Sequence, residues 1–203
     1  MKKPDYWYES LDYLCQHDEK LATIIDTHND YVFSADKSAL ESLLGSIVSQ
    51  QISVKAAASI WQRIVDLVGE ITASKVIAVG VENLRLCGLS GRKAQYFLNI
   101  AEHFHKNQID DKSYWNNRDY SNIYDELIQI RGIGPWTIEM FAMFFLQEPD
   151  ILPLKDLGII RAINRLYSDG NNDLEMSEII EISNQWQPYR TVVSLFLWRS
   201  VDN

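Results

Sequence analysis

Residues 127–137 read Leu-Ile-Gln-Ile-Arg-Gly-Ile-Gly-Pro-Trp-Thr. Gly132 suits the left-handed position that ends one helix, and Pro135 suits the first position of the next, where its missing N–H costs nothing. The second helix then starts with unpaired backbone N–H groups and the positive end of its dipole, so the turn can receive an anion such as a phosphate. Glycines leave no Cβ to block that approach, while Ile133 between them can plug inward. A plain joint between two helices is the competing reading, since glycine at a helix end is common. Asp156 follows 22 residues after Gly134, within Leu-Pro-Leu-Lys-Asp-Leu-Gly. A helix of about 13 residues covers roughly 20 Å, so a loop over 148–154 can return the chain and set Asp156 at the start of another helix. There the dipole and local amides favour a carboxylate anion, and a fixed anion suits stabilisation of a developing cation. An N-cap without chemistry is the competing reading.

The elements that must position these residues are helical. Leu40, Leu43, Leu44, Ile47 and Val48 recur at the spacing of a helix with one buried face. Ser38-Ala39-Leu40-Glu41 fits a capping box at its start. Further helices are expected over 53–68, 92–105, 120–131, 135–147, 157–168, 174–186 and 189–199, with a polar connection over 105–120. No segment alternates with period two, so the fold class is all-α. Two helical lobes are expected: a central one, 39–150, containing the hairpin, and a second from 1–38 plus 151–203 that contributes Asp156 and the terminal helices, with Asp156 in the cleft between them.

Composition narrows the class. The 203 residues are 46% hydrophobic, enough to fill a core and to exclude disorder. Two cysteines, Cys15 and Cys87, are too few for a disulfide scaffold or a thiolate-held cluster. His103 and His105 do not share a helix face, and no zinc spacing is present. No apolar run reaches the roughly 20 residues of a membrane span, and no secretion signal is expected, since the basic start is followed by Tyr6-Trp7-Tyr8-Glu9 rather than an apolar stretch. A net charge of −9 opposes long-range attraction to nucleic acid. The field near the site matters more, and Lys93, Arg131, Lys155 and Arg161 could form a local basic rim.

The paired motifs resemble the helix-hairpin-helix, Gly/Pro-rich loop and aspartate (HhH-GPD) superfamily of base-excision DNA glycosylases, and most closely its 3-methyladenine DNA glycosylase II branch. Gly45-Ser46-Ile47-Val48-Ser49-Gln50-Gln51-Ile52-Ser53 is similar to that branch's first core helix and wedge loop. Leu86-Cys87-Gly88-Leu89-Ser90-Gly91-Arg92-Lys93-Ala94 is similar to its Gly-Leu-Ser-x-x-Lys-Ala stretch, and Trp186-Gln187-Pro188-Tyr189-Arg190 to its terminal Trp-x-Pro-Trp-Arg. Together the matches span about residues 39–200.

The resemblance implies a monofunctional hydrolase that cleaves the N-glycosidic bond of alkylated purines, of the 3-methyladenine and 7-methylguanine type, flipped out of duplex DNA. Asp156 matches the catalytic aspartate. Lyase-active members carry a lysine two positions after the second hairpin glycine, where this chain has Trp136. Trp136, Trp198 and, one turn beyond the first, Met140 match the wall of the base pocket, where electron-rich rings attract cationic bases; packing in the core is the bland alternative for both tryptophans. Gln51, with Gln50, matches the wedge that fills the gap in the stack, although some relatives place an apolar residue there and a polar loop residue is the plain alternative. The hairpin, Arg131 to Gly134, would hold a backbone phosphate. Carbonyls of Ile128, Ile130 and Ile133 would hold a monovalent cation, Na or K, with no other cofactor required. Lys93, Lys155, Arg161 and Arg190 are candidate phosphate contacts, each also readable as a solvated or paired surface group. Lys155 departs from the acidic or small residue that relatives carry before the aspartate.

The expected partner is double-stranded DNA with a damaged base, acted on by a monomer with no membrane association, cytoplasmic and at the nucleoid if the source is bacterial. Neither an iron–sulfur cluster nor an N-terminal β-domain is expected. A non-catalytic helix-hairpin-helix module that binds damaged DNA is the competing function, and a helical protein-interaction domain is a third.

Overall fold

A computed structural model describes residues 3–28, 30, 37–116, 118–170 and 172–201. Among the described residues the regular elements are all helical, twelve α-helices and one π-helical turn, and the chain divides into two units. One unit comes from residues 1–35 and 147–203, the other from 36–146.

The 36–146 unit begins with α3 (Ala39–Ser49), after the α1 and α2 of the other unit. Its capping box forms as the sequence suggests: the Glu41 amide donates to Ser38 Oγ at 3.2 Å and Glu41 Oε2 accepts the Ser38 amide at 2.9 Å. Then come α4 (Val54–Val68), α5 (Ala73–Leu86), α6 (Gly91–Asn107), α7 (Lys112–Asn116), α8 (Tyr120–Leu127) and α9 (Pro135–Phe141), which runs into the π turn Ala142–Leu146. Leu40, Leu43, Leu44 and Ile47 of α3 pack into one core with Phe97, Phe104, Trp115 and Phe141. Each such side chain contributes roughly 1.5–3 kcal/mol by leaving water. Trp115 lies within the stretch read as a polar connection; it is buried in the core and its indole donates to the Ile109 carbonyl at 2.9 Å, so α7 is held chiefly by one tryptophan rather than by an amphipathic repeat.

The other unit packs α1 (Trp7–His17) and α2 (Glu19–Thr27) with α10 (Leu157–Tyr167), α11 (Met176–Asn184) and α12 (Arg190–Val201). The buried Asp18 caps α2 through the Leu21 amide at 3.0 Å and also accepts Tyr167 Oη at 2.6 Å and the Trp186 indole at 2.8 Å. Burial and the hydrogen bond to Asp18 push the Tyr167 phenol well above its ordinary range. Residues 191–197 of α12 are all buried, as befits a helix surrounded by its neighbours.

Helix α8 ends at Leu127, earlier than the expected 131, because the chain tightens. The Gln129, Ile130 and Ile133 amides donate to the Glu126, Leu127 and Ile130 carbonyls, three residues back each time. This turn lets Ile130 and Ile133 both enter the core.

Candidate functional site

The two hairpin glycines have different jobs. Gly132 has φ +114, and a Cβ there would lie 2.3 Å from the Tyr96 ring, so both backbone sign and close packing require glycine. Gly134 has φ −118, in the extended region, and a Cβ would meet nothing within 4 Å. Internal packing therefore makes no demand for glycine at 134, whereas the approach of an outside group to the backbone would. Ile133 is 6% exposed and plugs inward as expected, while the Arg131 side chain is exposed. Asn99 Nδ2 donates to the Arg131 carbonyl at 2.9 Å and ties the turn to α6. Trp136, in the first turn of α9, is half-buried; Met140 is 5% exposed, buried without joining the core cluster of its unit.

In the same unit, Gln50 and Gln51 behave differently. Gln50 is half-buried and its side-chain amide donates to Thr137 Oγ1 at 3.0 Å. Gln51 is exposed and has φ +58, a left-handed backbone at a non-glycine residue. Such outliers cost about 1–3 kcal/mol and concentrate at functional sites.

Asp156 does cap α10, yet its surroundings exceed those of a cap. Its Oδ1 accepts the Gly158 amide at 2.8 Å, the Ile159 amide at 3.1 Å and the Trp198 indole at 2.9 Å. Three donors on one oxygen restrain the carboxylate's orientation. A Cβ on Gly158 would lie 3.0 Å from Asp156 Oδ1 and 3.1 Å from Trp198, so glycine makes room for the indole. Sequence reading missed Gly158, although the signal, a glycine two residues after the aspartate, was available.

One face of α12 tracks the loop leading to Asp156. Arg190 pairs with Asp150 through Nε at 2.6 Å and Nη2 at 2.9 Å. Thr191 Oγ1 donates to the Glu148 carbonyl at 2.6 Å and accepts the Ile151 amide at 3.0 Å. Ser194 Oγ donates to the Ile151 carbonyl at 3.2 Å, and Trp198 reaches Asp156 one turn later.

Two candidate phosphate contacts have partners within the chain. The Arg190 guanidinium is engaged with Asp150, and the partly buried Lys93 ammonium donates to the carbonyls of Val48 at 2.8 Å and Gln50 at 2.7 Å. A long cation beside unpaired helix-end carbonyls bonds them before it can serve a surface. Lys155 and Arg161 remain exposed. Of the four residues expected in the basic rim, Lys93 and Arg131 belong to the 36–146 unit, Lys155 and Arg161 to the other. Among the described residues no cluster of His, Cys, Asp and Glu could hold a metal ion, and no helix is long and apolar enough to cross a membrane.

Among the described residues the chain is all-helical, with a glycine-bounded turn before a proline-started helix and an aspartate fixed at the start of another. The chain belongs to the HhH-GPD superfamily of base excision DNA repair proteins, whose model matches residues 44–188. It is similar to a DNA-3-methyladenine glycosidase of Bacillus halodurans, with 33% identity, 93% of this chain and 86% of that one covered, and a TM-score of 0.72. A Schizosaccharomyces pombe 3-methyladenine DNA glycosylase, solved with abasic DNA, superposes over 96% of this chain and 98% of its own at 26% identity and a TM-score of 0.85. A putative DNA-3-methyladenine glycosylase of Bacillus subtilis is 27% identical over 100% of this chain and 73% of its own length.

Proposed function

We propose that this protein is a monofunctional alkylbase DNA glycosylase, which binds duplex DNA and hydrolyses the N-glycosidic bond of a flipped, N-alkylated purine in the first step of base excision repair. The observation that carries the reading is Asp156, held through Oδ1 by two helix-start amides and an indole in a chain of this superfamily. As the base departs, positive charge grows on the sugar. A preorientated carboxylate lowers the energy of that oxocarbenium-like centre and can orient the attacking water. An N-alkylated purine is already cationic and leaves readily, so a second carboxylate acting as acid is not required. Trp136 stands where a lyase would carry its nucleophilic lysine, so no Schiff base forms and the product is an abasic site.

In this reading the Trp136 ring, with Met140 one turn on, receives the base and favours a cationic one, while Trp198 acts beside Asp156. Gln51 is the wedge, supported by its exposure and left-handed backbone, while Gln50 anchors the loop. The hairpin amides, joined by Arg131, hold a phosphate without reading bases, and the exposed Lys155 and Arg161 are candidates for phosphate contacts of their own. A monovalent cation would take the carbonyls of Ile128, Ile130 and Ile133; that of Ile130 already accepts the Ile133 amide at 3.0 Å, which leaves one lone pair. The protein acts as a monomer on chromosomal DNA and needs no other cofactor.

The test is release of free base from duplexes carrying 3-methyladenine, 7-methylguanine, 1,N6-ethenoadenine, hypoxanthine or uracil. Methylated purines are expected to be released by the wild type, while Asp156→Asn keeps affinity for abasic-site DNA and loses release. If the wild type releases no base but binds abasic DNA, the protein is a damage-binding module instead.

A further inference from the structure

Lys93 does not face outward, and the two carbonyls it holds immediately precede the wedge. The carbonyls of Val48 and Gln50 lie at the C-terminal end of α3, where a helix leaves acceptors unpaired and a cation is favoured by the dipole. Partial burial lowers the Lys93 ammonium from the usual lysine range by stripping water from the charge, and the two carbonyls take the place of that water. Ser90 caps α6 by accepting the Lys93 amide at 3.2 Å, which sets the side chain's starting point. From the opposite side Gln50 Nε2 donates to Thr137 Oγ1 of the second hairpin helix, and Thr137 is 1% exposed. Beyond the loop, Ser53 caps α4 through the Ala56 amide at 3.3 Å. Gln51 thus follows a residue anchored through both carbonyl and side chain. Its φ of +58 is a conformation that persists only where neighbours impose it.

We propose that Lys93 is a positioning residue for the wedge: by fixing the Val48 and Gln50 carbonyls it holds Gln51 in the left-handed conformation that presents its side chain, and so acts on opening the duplex rather than on bond cleavage. The inference rests on the reading of Gln51 as the wedge. It also joins three segments in one mechanical unit, the end of α3, the start of α6 and Thr137 of α9. A hairpin seated on a phosphate would then share its footing with the loop that invades the stack.

The experiment compares single-turnover release of one methylated purine from a fully paired duplex and from the same strand with the lesion in a bulge, where no stack needs to be filled. Gln51→Gly is expected to lower the paired-to-bulged ratio about tenfold, Lys93→Met to lower it similarly, and the double variant no further, as for residues acting through one network. Lys93→Arg should restore part of the ratio. Equal loss on both substrates for Lys93→Met would mean a merely structural lysine, and additive losses in the double variant an independent role; either overturns the proposal. If Gln51→Gly leaves the ratio unchanged, the wedge reading itself fails, a result separable from failure of the clamp. Should Lys93→Met not fold, Thr137→Val removes the other anchor and must lower the same ratio for the proposal to stand.

Discussion

The loop that carries Gln51 and the loop that ends at Asp156 are both irregular, and they are held in opposite ways. The first is anchored at a few points, chiefly one partly buried ammonium and one glutamine amide, and its tip keeps a strained backbone. The second is stitched along its length by Arg190, Thr191, Ser194 and Trp198, successive residues of one face of α12, and its carboxylate is fixed at the end. The contrast fits the tasks. A group that enters a base stack must present one side chain and tolerate displacement, whereas a group that stabilises a transition-state charge gains only if it does not have to reorient.

This comparison breaks most visibly at Asp156. Asp156→Asn is expected to reduce single-turnover release about 10²–10³-fold, the scale for removal of one preorganised electrostatic group, with binding to abasic DNA retained. A loss below tenfold would place the charge stabilisation elsewhere. Next in size is the glycine pair. Gly132→Ala meets both positive φ and the Tyr96 ring, and should cost about 3 kcal/mol or more of stability in urea unfolding. Gly134→Ala should unfold like the wild type yet bind DNA more weakly. If the two behave alike, Gly134 has no outward role.

Trp198→Phe keeps the ring but removes a donor from Asp156. It should slow release about tenfold, the equivalent of one hydrogen bond to a charged group, with little change in KM. Equal loss in KM would point to base stacking rather than carboxylate positioning. The smallest effect concerns Glu126, which accepts from Tyr114 at 2.8 Å and His103 at 3.1 Å and pairs with Arg118. Burial alone would raise this carboxyl, but the three partners outweigh it and hold it below its ordinary value. A carboxyl depressed on folding stabilises above its unfolded pKa and loses that contribution as pH falls through its folded one. Glu126→Gln should therefore lower Tm by about 2–4 °C at neutral pH, with the gap closing below pH of about 4.

Much of the fold was legible because its signals are local. The Ser38–Glu41 box, the apolar face of α3 and the proline opening α9 each need only neighbours within a turn. Helices α1, α2 and α5 were not placed from sequence, and α7 is held by packing of Trp115 against Phe141 and Phe145, contacts that no short-range pattern encodes. Within the site, Asp156 and the hairpin glycines could be named from type and spacing. Lys93 and Arg190 could be named too, but their partners could not, since Val48, Gln50 and Asp150 lie 40 or more residues away.

By itself the sequence determined that the chain is helical, that a glycine-bounded turn precedes a proline-started helix, and that an aspartate opens another. These follow from propensity, capping and backbone sterics, which act over a few residues. Only the tertiary structure decided that Trp198 donates to Asp156, that Gly158 makes room for it, and that a lysine read as a DNA contact grips the end of α3. A charged side chain takes the partner that packing brings within reach, and packing is set by the whole core.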